Sequence, residues 1–196
     1  MTPRNAELKR KTKETDIRLC LNLDGSGDAK ISTGVGFFDH MLNALAKHSL
    51  FDLMIEAKGD LEIDPHHTVE DVGIVLGKAI DQALGDKVGV VRYGWAVVPM
   101  DEALVLTSID LSGRGLLCYD VQIAQEKIGA LDTVLIEEFF GALARSAGMT
   151  LHIRKLAGED PHHTAEAVFK SFAKAIDSAT RTSERVTGVP STKGVL

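Results

Sequence analysis

One seven-residue phrase occurs twice, and nothing else in the chain restricts the fold as much. Asp64-Pro65-His66-His67-Thr68-Val69-Glu70 returns ninety-six residues later as Asp160-Pro161-His162-His163-Thr164-Ala165-Glu166, and the two copies hold four of the seven histidines. The likeness runs on, with Lys78-Ala79-Ile80-Asp81 matched by Lys174-Ala175-Ile176-Asp177 at the same offset. A repeat that keeps a polar signature together with the helical stretch behind it marks an internal duplication. The chain is therefore expected to fold as two similar halves.

The remaining patterns fall into the same order in each half. Residues 4–24 alternate polar and apolar around a turn and read as a strand pair, with a short third strand at 29–33. Gly36 opens a helix with Phe38, Met41, Leu42 and Leu45 on one side. Residues 52–57 form a strand, and the first signature helix runs over 65–84 with Gly85 as its stop. In the second half, strands are expected near 93–100, 102–111 and 115–123. A helix over 132–147, a strand at 150–155 and the second signature helix over 161–181 follow. The expected fold is α+β: an internally duplicated two-layer sandwich, each half a mainly antiparallel sheet covered on one face by helices. The halves are 1–86 and 87–182, followed by a C-terminal tail, 183–196.

Composition removes several classes of function. The 196 residues carry 22 basic and 28 acidic side chains, net −6, with no basic stripe for nucleic acid. No run of about 18 apolar residues offers a membrane span. Met1-Thr2-Pro3-Arg4-Asn5 lacks the apolar core of a signal peptide, so a cytoplasmic setting is expected. Cys20 and Cys118 fit no metal spacing and read as buried core thiols. His48 and His152, standing alone, read as capping or core residues.

The signature reads as metal-binding. Asp64 and Asp160 suit the N-cap and Pro65 and Pro161 the first helical position, which puts the histidine pairs in the first turn. Residues i and i+4 share a helix face, so His66 with Glu70, and His162 with Glu166, form two-ligand clamps. His67 and His163 point about 100° away and aim at other ions or at ions shared with another chain. His40 is a further candidate ligand, and Glu138 stands at its equivalent place in the second half. Nitrogen and oxygen donors without thiolate fit Mn, Fe, Co, Ni or Zn, and mixed histidine–carboxylate sites suit a catalytic ion.

These residues resemble the imidazoleglycerol-phosphate dehydratase family of histidine biosynthesis. The resemblance rests on Gly36-Phe37-Phe38-Asp39-His40-Met41-Leu42, both signature copies, Val98-Pro99-Met100-Asp101-Glu102-Ala103, Gly148-Met149-Thr150-Leu151-His152 and the terminal Pro190-Ser191-Thr192-Lys193-Gly194-Val195-Leu196. It implies a dehydratase that takes water from D-erythro-imidazoleglycerol phosphate to give imidazole acetol phosphate, with two Mn2+ ions per active site. His40, His67, His163 and Glu166 would approach one ion; His66, Glu70, His162 and the residue at 138 would approach the other. Many members carry histidine where this chain has Glu138. The resemblance also implies a substrate-contacting carboxylate at Glu14, with Asp101 a second candidate for proton transfer beside the clamp acids Glu70 and Glu166. Arg92, Arg114, Lys170, Ser191, Thr192 and Lys193 would hold the phosphate, so the tail joins the substrate site. The family assembles as a 24-subunit homo-oligomer with active sites between subunits. Without the resemblance, a dinuclear hydrolase of phosphate esters and a shell protein joined by its ions would fit the same signature.

Overall fold

The structure is a computed structural model describing residues 3–196; Met1 and Thr2, at the start of the expected first half, lie outside them. The first half runs β1 (Asn5–Lys11), β2 (Thr15–Asn22), β3 (Ala29–Ser32), α1 (Gly36–Ser49), β4 (Asp52–Gly59) and α2 (His66–Leu84). The second runs β5 (Tyr93–Met100), β6 (Ala103–Asp110), β7 (Leu116–Asp120), a small hairpin of β8 (Lys127–Ile128) and β9 (Leu131–Asp132), α3 (Val134–Ala147), β10 (Thr150–Ala157) and α4 (Pro161–Thr180). The hairpin is the one insertion in an otherwise repeated order. It shortens the expected strand at 115–123 and delays the expected helix at 132 by two residues.

Each half builds a four-stranded sheet, ordered β1-β2-β4-β3 and β5-β6-β10-β7. Hairpins make β1–β2 and β5–β6 antiparallel, whereas β3–β4 and β7–β10 are parallel. A parallel pair needs a crossover, and α1 and α3 supply it. In β2, Thr15, Ile17, Leu19 and Leu21 turn inward while Asp16 and Arg18 face water. That period of two leaves one face of each sheet for helices.

The helices meet across the halves. α2 lies on β1 and β2 and α4 on β5 and β6, while α2 packs against α3 and α1 against α4. The result is a central helical layer flanked by two sheets, with one shared core. Gly73 and Gly77 let α2 approach closely: a Cβ there would meet the carbonyl oxygens of Phe139 at 2.6 Å and Leu143 at 2.5 Å. Phe38, Phe139, Phe140, Phe169 and Phe172 fill the centre, with successive ring centroids 5.0 to 5.5 Å apart. Each such ring contributes roughly 1.5–3 kcal/mol through burial.

Three sequence expectations change here. Cys118 is exposed and Cys20 only half-buried, because both occupy outward positions of their strands; they are not core thiols. His152 sits on the same exposed face as Cys118, opposite it in register, and neither caps nor packs in the core. That face, the outer side of the second sheet, also shows Tyr93 (56% exposed), Trp95 (72%), Val97 (41%) and Leu116 (52%). Finally, the second copy of the signature starts as expected, with the Asp160 carboxylate accepting from the His163 N–H at 3.0 Å and Pro161 first in the helix. The first copy starts one residue later. Pro65 takes the N-cap place, and Asp64 accepts instead from the His66 N–H at 2.7 Å.

No helix among the described residues is long and apolar enough to cross a membrane.

Candidate active site

The crosswise packing of α1 on α4 brings His40 of the first half to the signature of the second. One donor atom each from His40, His162 and Glu166 lies within 4.8 Å of the others, the one such group of three among the described residues. Glu166 Oε2 is 3.2 Å from His162 Nε2 and 3.6 Å from His40 Nε2. Its other oxygen, Oε1, accepts from Lys170 Nζ at 2.6 Å, one helical turn on. Both histidines are about half exposed while Glu166 is buried, so the carboxylate forms the floor of an open cluster. Burial works against ionising Glu166, but the Lys170 hydrogen bond and charge outweigh it and hold the carboxyl below its ordinary value of 4.5. Phe37 packs edge-on against His162, its ring centroid 5.2 Å away, and limits where that imidazole turns.

The i, i+4 geometry thus joins His162 to Glu166. The resemblance placed His162 at the other ion, with His163 beside His40; within one chain His162 is the neighbour of His40 and Glu166. His163 faces the β5–β6 turn instead. Its Nδ1 lies 2.8 Å from Glu102 Oε2, and its Nε2 3.6 Å from Asp101 Oδ2. The contact with His163 lowers the Glu102 carboxyl to about 2, helped by the Asp160 N–H, and raises His163 in turn.

The equivalent group of the first half is looser. His66 is exposed, its ring 6.1 Å from that of His67, and Glu70 faces Arg145 at 3.9 Å. Glu138 lies half-buried on α3, which packs on α2, and makes no ion pair among the described residues. His67 Nδ1 is 2.9 Å from Asp60 Oδ2, a hydrogen bond that raises the imidazole above its ordinary value. Glu14 stands in the β1–β2 turn, the counterpart of the turn bearing Asp101. That turn is fastened to α2 by the buried Asp71, which accepts from Arg10 at 2.9 Å and from the Thr15 hydroxyl.

The expected phosphate residues divide. Lys170 belongs to the cluster of His40, His162 and Glu166. Arg92 forks onto Asp110 at 2.7 and 3.2 Å and donates to the Pro190 carbonyl at 2.7 Å, tying down the tail just before Ser191, Thr192 and Lys193. Arg114 is largely exposed, 3.9 Å from the same Asp110. These cations gather near the C-terminal end of α4, where the Arg92 N–H donates to the Ala179 carbonyl. His162 and Glu166 occupy the N-terminal end of that helix.

Sequence reading gave no role to Asp60, Glu102 or Phe37. Glu102 stood inside a quoted motif, while Asp60 carried no signal beyond closing a strand.

Comparison with known proteins accounts for the arrangement. Residues 33–176 match the family model described as imidazoleglycerol-phosphate dehydratase. The chain is 62% identical over 193 residues to the imidazoleglycerol-phosphate dehydratase of Acetivibrio thermocellus, covering 98% of this chain and 99% of that one. It is 58% identical to the one from Lachnoclostridium phytofermentans, at 98% coverage of both. Among solved structures, that of Staphylococcus aureus imidazoleglycerol-phosphate dehydratase superposes with a TM-score of 0.83 at 38% identity, covering 91% of this chain and 99% of that one. The Pyrococcus furiosus enzyme, in complex with (S)-C348, gives 0.84 at 41% identity, covering 96% and 100%. The chain therefore belongs to the imidazoleglycerol-phosphate dehydratase family, the hydro-lyases of histidine biosynthesis.

Proposed function

We propose that the chain converts D-erythro-imidazoleglycerol phosphate to imidazole acetol phosphate and water, with two Mn2+ ions per active site, as a cytoplasmic homo-oligomer. The observation that carries this reading is the meeting of His40, His162 and Glu166 from opposite halves. Two imidazole nitrogens and one carboxylate oxygen, with no sulfur, suit a first-row divalent ion, Mn2+ being the one the resemblance implies, and leave coordination positions open to substrate. Bound there, the cation would supply Lewis acidity for the charge that develops as hydroxide leaves.

The chain's own groups do the rest. Lys170 keeps Glu166 ionised and fixes the heading of its free oxygen. Glu14 and Asp101, on equivalent exposed turns, can take a proton from the substrate carbon and return one to the departing oxygen. Arg114, Lys193, Ser191 and Thr192 offer the cationic and hydroxyl donors that a phosphate needs, with Arg92 anchoring the tail beside them.

Geometry supports assembly. Ala179 lies about 25 Å along α4 from His162, at 1.5 Å per residue. A five-membered ring on a phosphorylated three-carbon arm is far too short to touch both ends. The phosphate cluster of one subunit therefore serves the metal cluster of another, and His66, Glu70, His67, His163 and Glu138 complete the ion sites between chains. The apolar outer face around Trp95 gives such contacts a surface of suitable character, in line with the 24 subunits that the family resemblance implies.

The test is turnover of imidazoleglycerol phosphate by metal-stripped protein before and after Mn2+ is restored. Activity should be absent and then return, with phosphate retained on the product. Release of inorganic phosphate would make the protein a hydrolase, and full activity of stripped protein would remove the metal from the reaction.

A further inference from the structure

The second histidine of each signature meets a carboxylate at the same ring atom. Asp60 holds His67 with both oxygens, 2.9 and 3.2 Å from Nδ1. Glu102 holds His163 Nδ1 at 2.8 Å through Oε2, while its Oε1 accepts from the Asp160 N–H at 2.9 Å. The two acids come from different places. Asp60 follows β4, where the Ile63 N–H closes a turn on its carbonyl; Glu102 sits between β5 and β6.

Duplication does not explain the match. The positions ninety-six and ninety-eight residues after Asp60 are Leu156 and Gly158, and neither can accept through its side chain. Each half reaches the same contact by its own route, which sets it apart from a chance surface pair.

The chemistry of the contact is definite. An ionised carboxylate only accepts, so in the neutral ring, the form that binds a cation, the one imidazole proton sits on Nδ1. Nε2 is then left with its lone pair, the form a divalent cation requires, and the bond fixes the plane in which that lone pair points. Free imidazole in water carries no such constraint. From these contacts we infer that Asp60 and Glu102 are positioning residues: each sets the tautomer and heading of its histidine, so that His67 and His163 present Nε2 to Mn2+. The inference rests on the metal reading above and adds two residues that act through the histidine each one holds.

Two measurements test it. Metal-free protein carrying nitrogen-15 histidine is examined by long-range proton–nitrogen correlation as pH is raised until both rings have lost their second proton. His67 and His163 should show a protonated Nδ1 and a bare Nε2, and Asp60→Ala and Glu102→Ala should each release their own histidine into a tautomer mixture. Mn2+ affinity is then read from the free-ion electron paramagnetic signal. The alanine variants should bind about 10–100-fold more weakly. Asp60→Asn and Glu102→Gln, whose amide oxygens still accept from Nδ1–H, should recover part of the loss, which a purely structural role would not predict from metal binding. Wild-type rings protonated at Nε2 overturn the assignment, as do folded alanine variants with wild-type affinity. Wild-type protein that takes up no Mn2+ overturns the metal reading itself and the assignment with it, an outcome distinct from failure of the variants alone.

Discussion

Replacing Glu166 by glutamine keeps the side-chain shape and removes one charge from the centre of the site. In the native chain one oxygen serves His162 and His40 at 3.2 and 3.6 Å, and the other serves Lys170 at 2.6 Å. Both Glu166 and Lys170 are largely buried, 11% and 20% exposed at their side chains. Removing one partner of a buried pair outright costs about 3–5 kcal/mol. Glutamine still offers Lys170 an acceptor, so the loss is the difference between a charge-assisted and a neutral bond, about 1–2 kcal/mol. With a urea slope of about 2 kcal/mol per molar, the midpoint of the metal-free variant should fall by about 0.5–1 M at fixed protein concentration. Metal binding should suffer more, since the only anionic donor of the cluster becomes neutral. A fall of about 100-fold in Mn2+ affinity, equivalent to ~2.8 kcal/mol, is expected from the same free-ion signal. A variant with native manganese affinity would show that this cluster does not grip the ion. One with a native urea midpoint would show that the Lys170 pair adds nothing to the fold.

Gly94→Ala would place a Cβ 1.9 Å from the Ala175 carbonyl oxygen, against helix backbone that cannot step aside; the expected loss of about 3 kcal/mol should lower the melting temperature by roughly 6–12 °C. Gly36→Ala meets nothing within 4 Å and should melt at or slightly above the wild-type temperature, so equal losses in the two variants would refute the steric argument. Arg92→Lys removes the fork onto Asp110 and the bond to Pro190; trypsin should cut the tail at Arg185 and Lys193 faster, and KM should rise several-fold with kcat less affected. An unchanged cutting rate would separate the tail from Arg92. Backbone N–H groups, that of Ser26 first, hold the Asp52 carboxyl below its ordinary value of 3.8, so its stabilisation is full above that value and disappears as pH falls through the lower folded one. Asp52→Asn should therefore cost about 1 kcal/mol at neutral pH, and the gap from wild type should close in acid; a gap constant down to pH 2 would contradict it.

Much of this was legible along the chain because it is written in local pattern. The repeated signature, the period of two in Thr15-Asp16-Ile17-Arg18-Leu19 and the helical spacing of Phe38, Met41, Leu42 and Leu45 each report on neighbours a few residues away. The clamp of His162 and Glu166 follows from a single helical turn. What escaped was set by distant contacts. No local pattern says that β3 pairs parallel with β4 and β7 with β10, or that α1 chooses α4 as its partner. The two-residue strands β8 and β9 are too short for periodicity to register. Cys118 and His152 looked internal, yet they hold the outward positions of alternating strands, with Leu151 and Ile153 turned inward on either side of His152. Asp60 and Glu102 are ordinary acids until the fold sets them against a ring nitrogen.

The pairing of α1 with α4 bears on how such a protein arose. The helix carrying His40 does not close on the signature of its own repeat but on that of the other. A polypeptide of half this length could have built the same cage only by embracing a twin. Fusion of the two genes would then have turned a contact between molecules into one within a molecule, so that the cage no longer dissolves on dilution. Once tethered, the two copies were free to diverge, and Lys170 on one side against Ile74 on the other is the mark of that freedom.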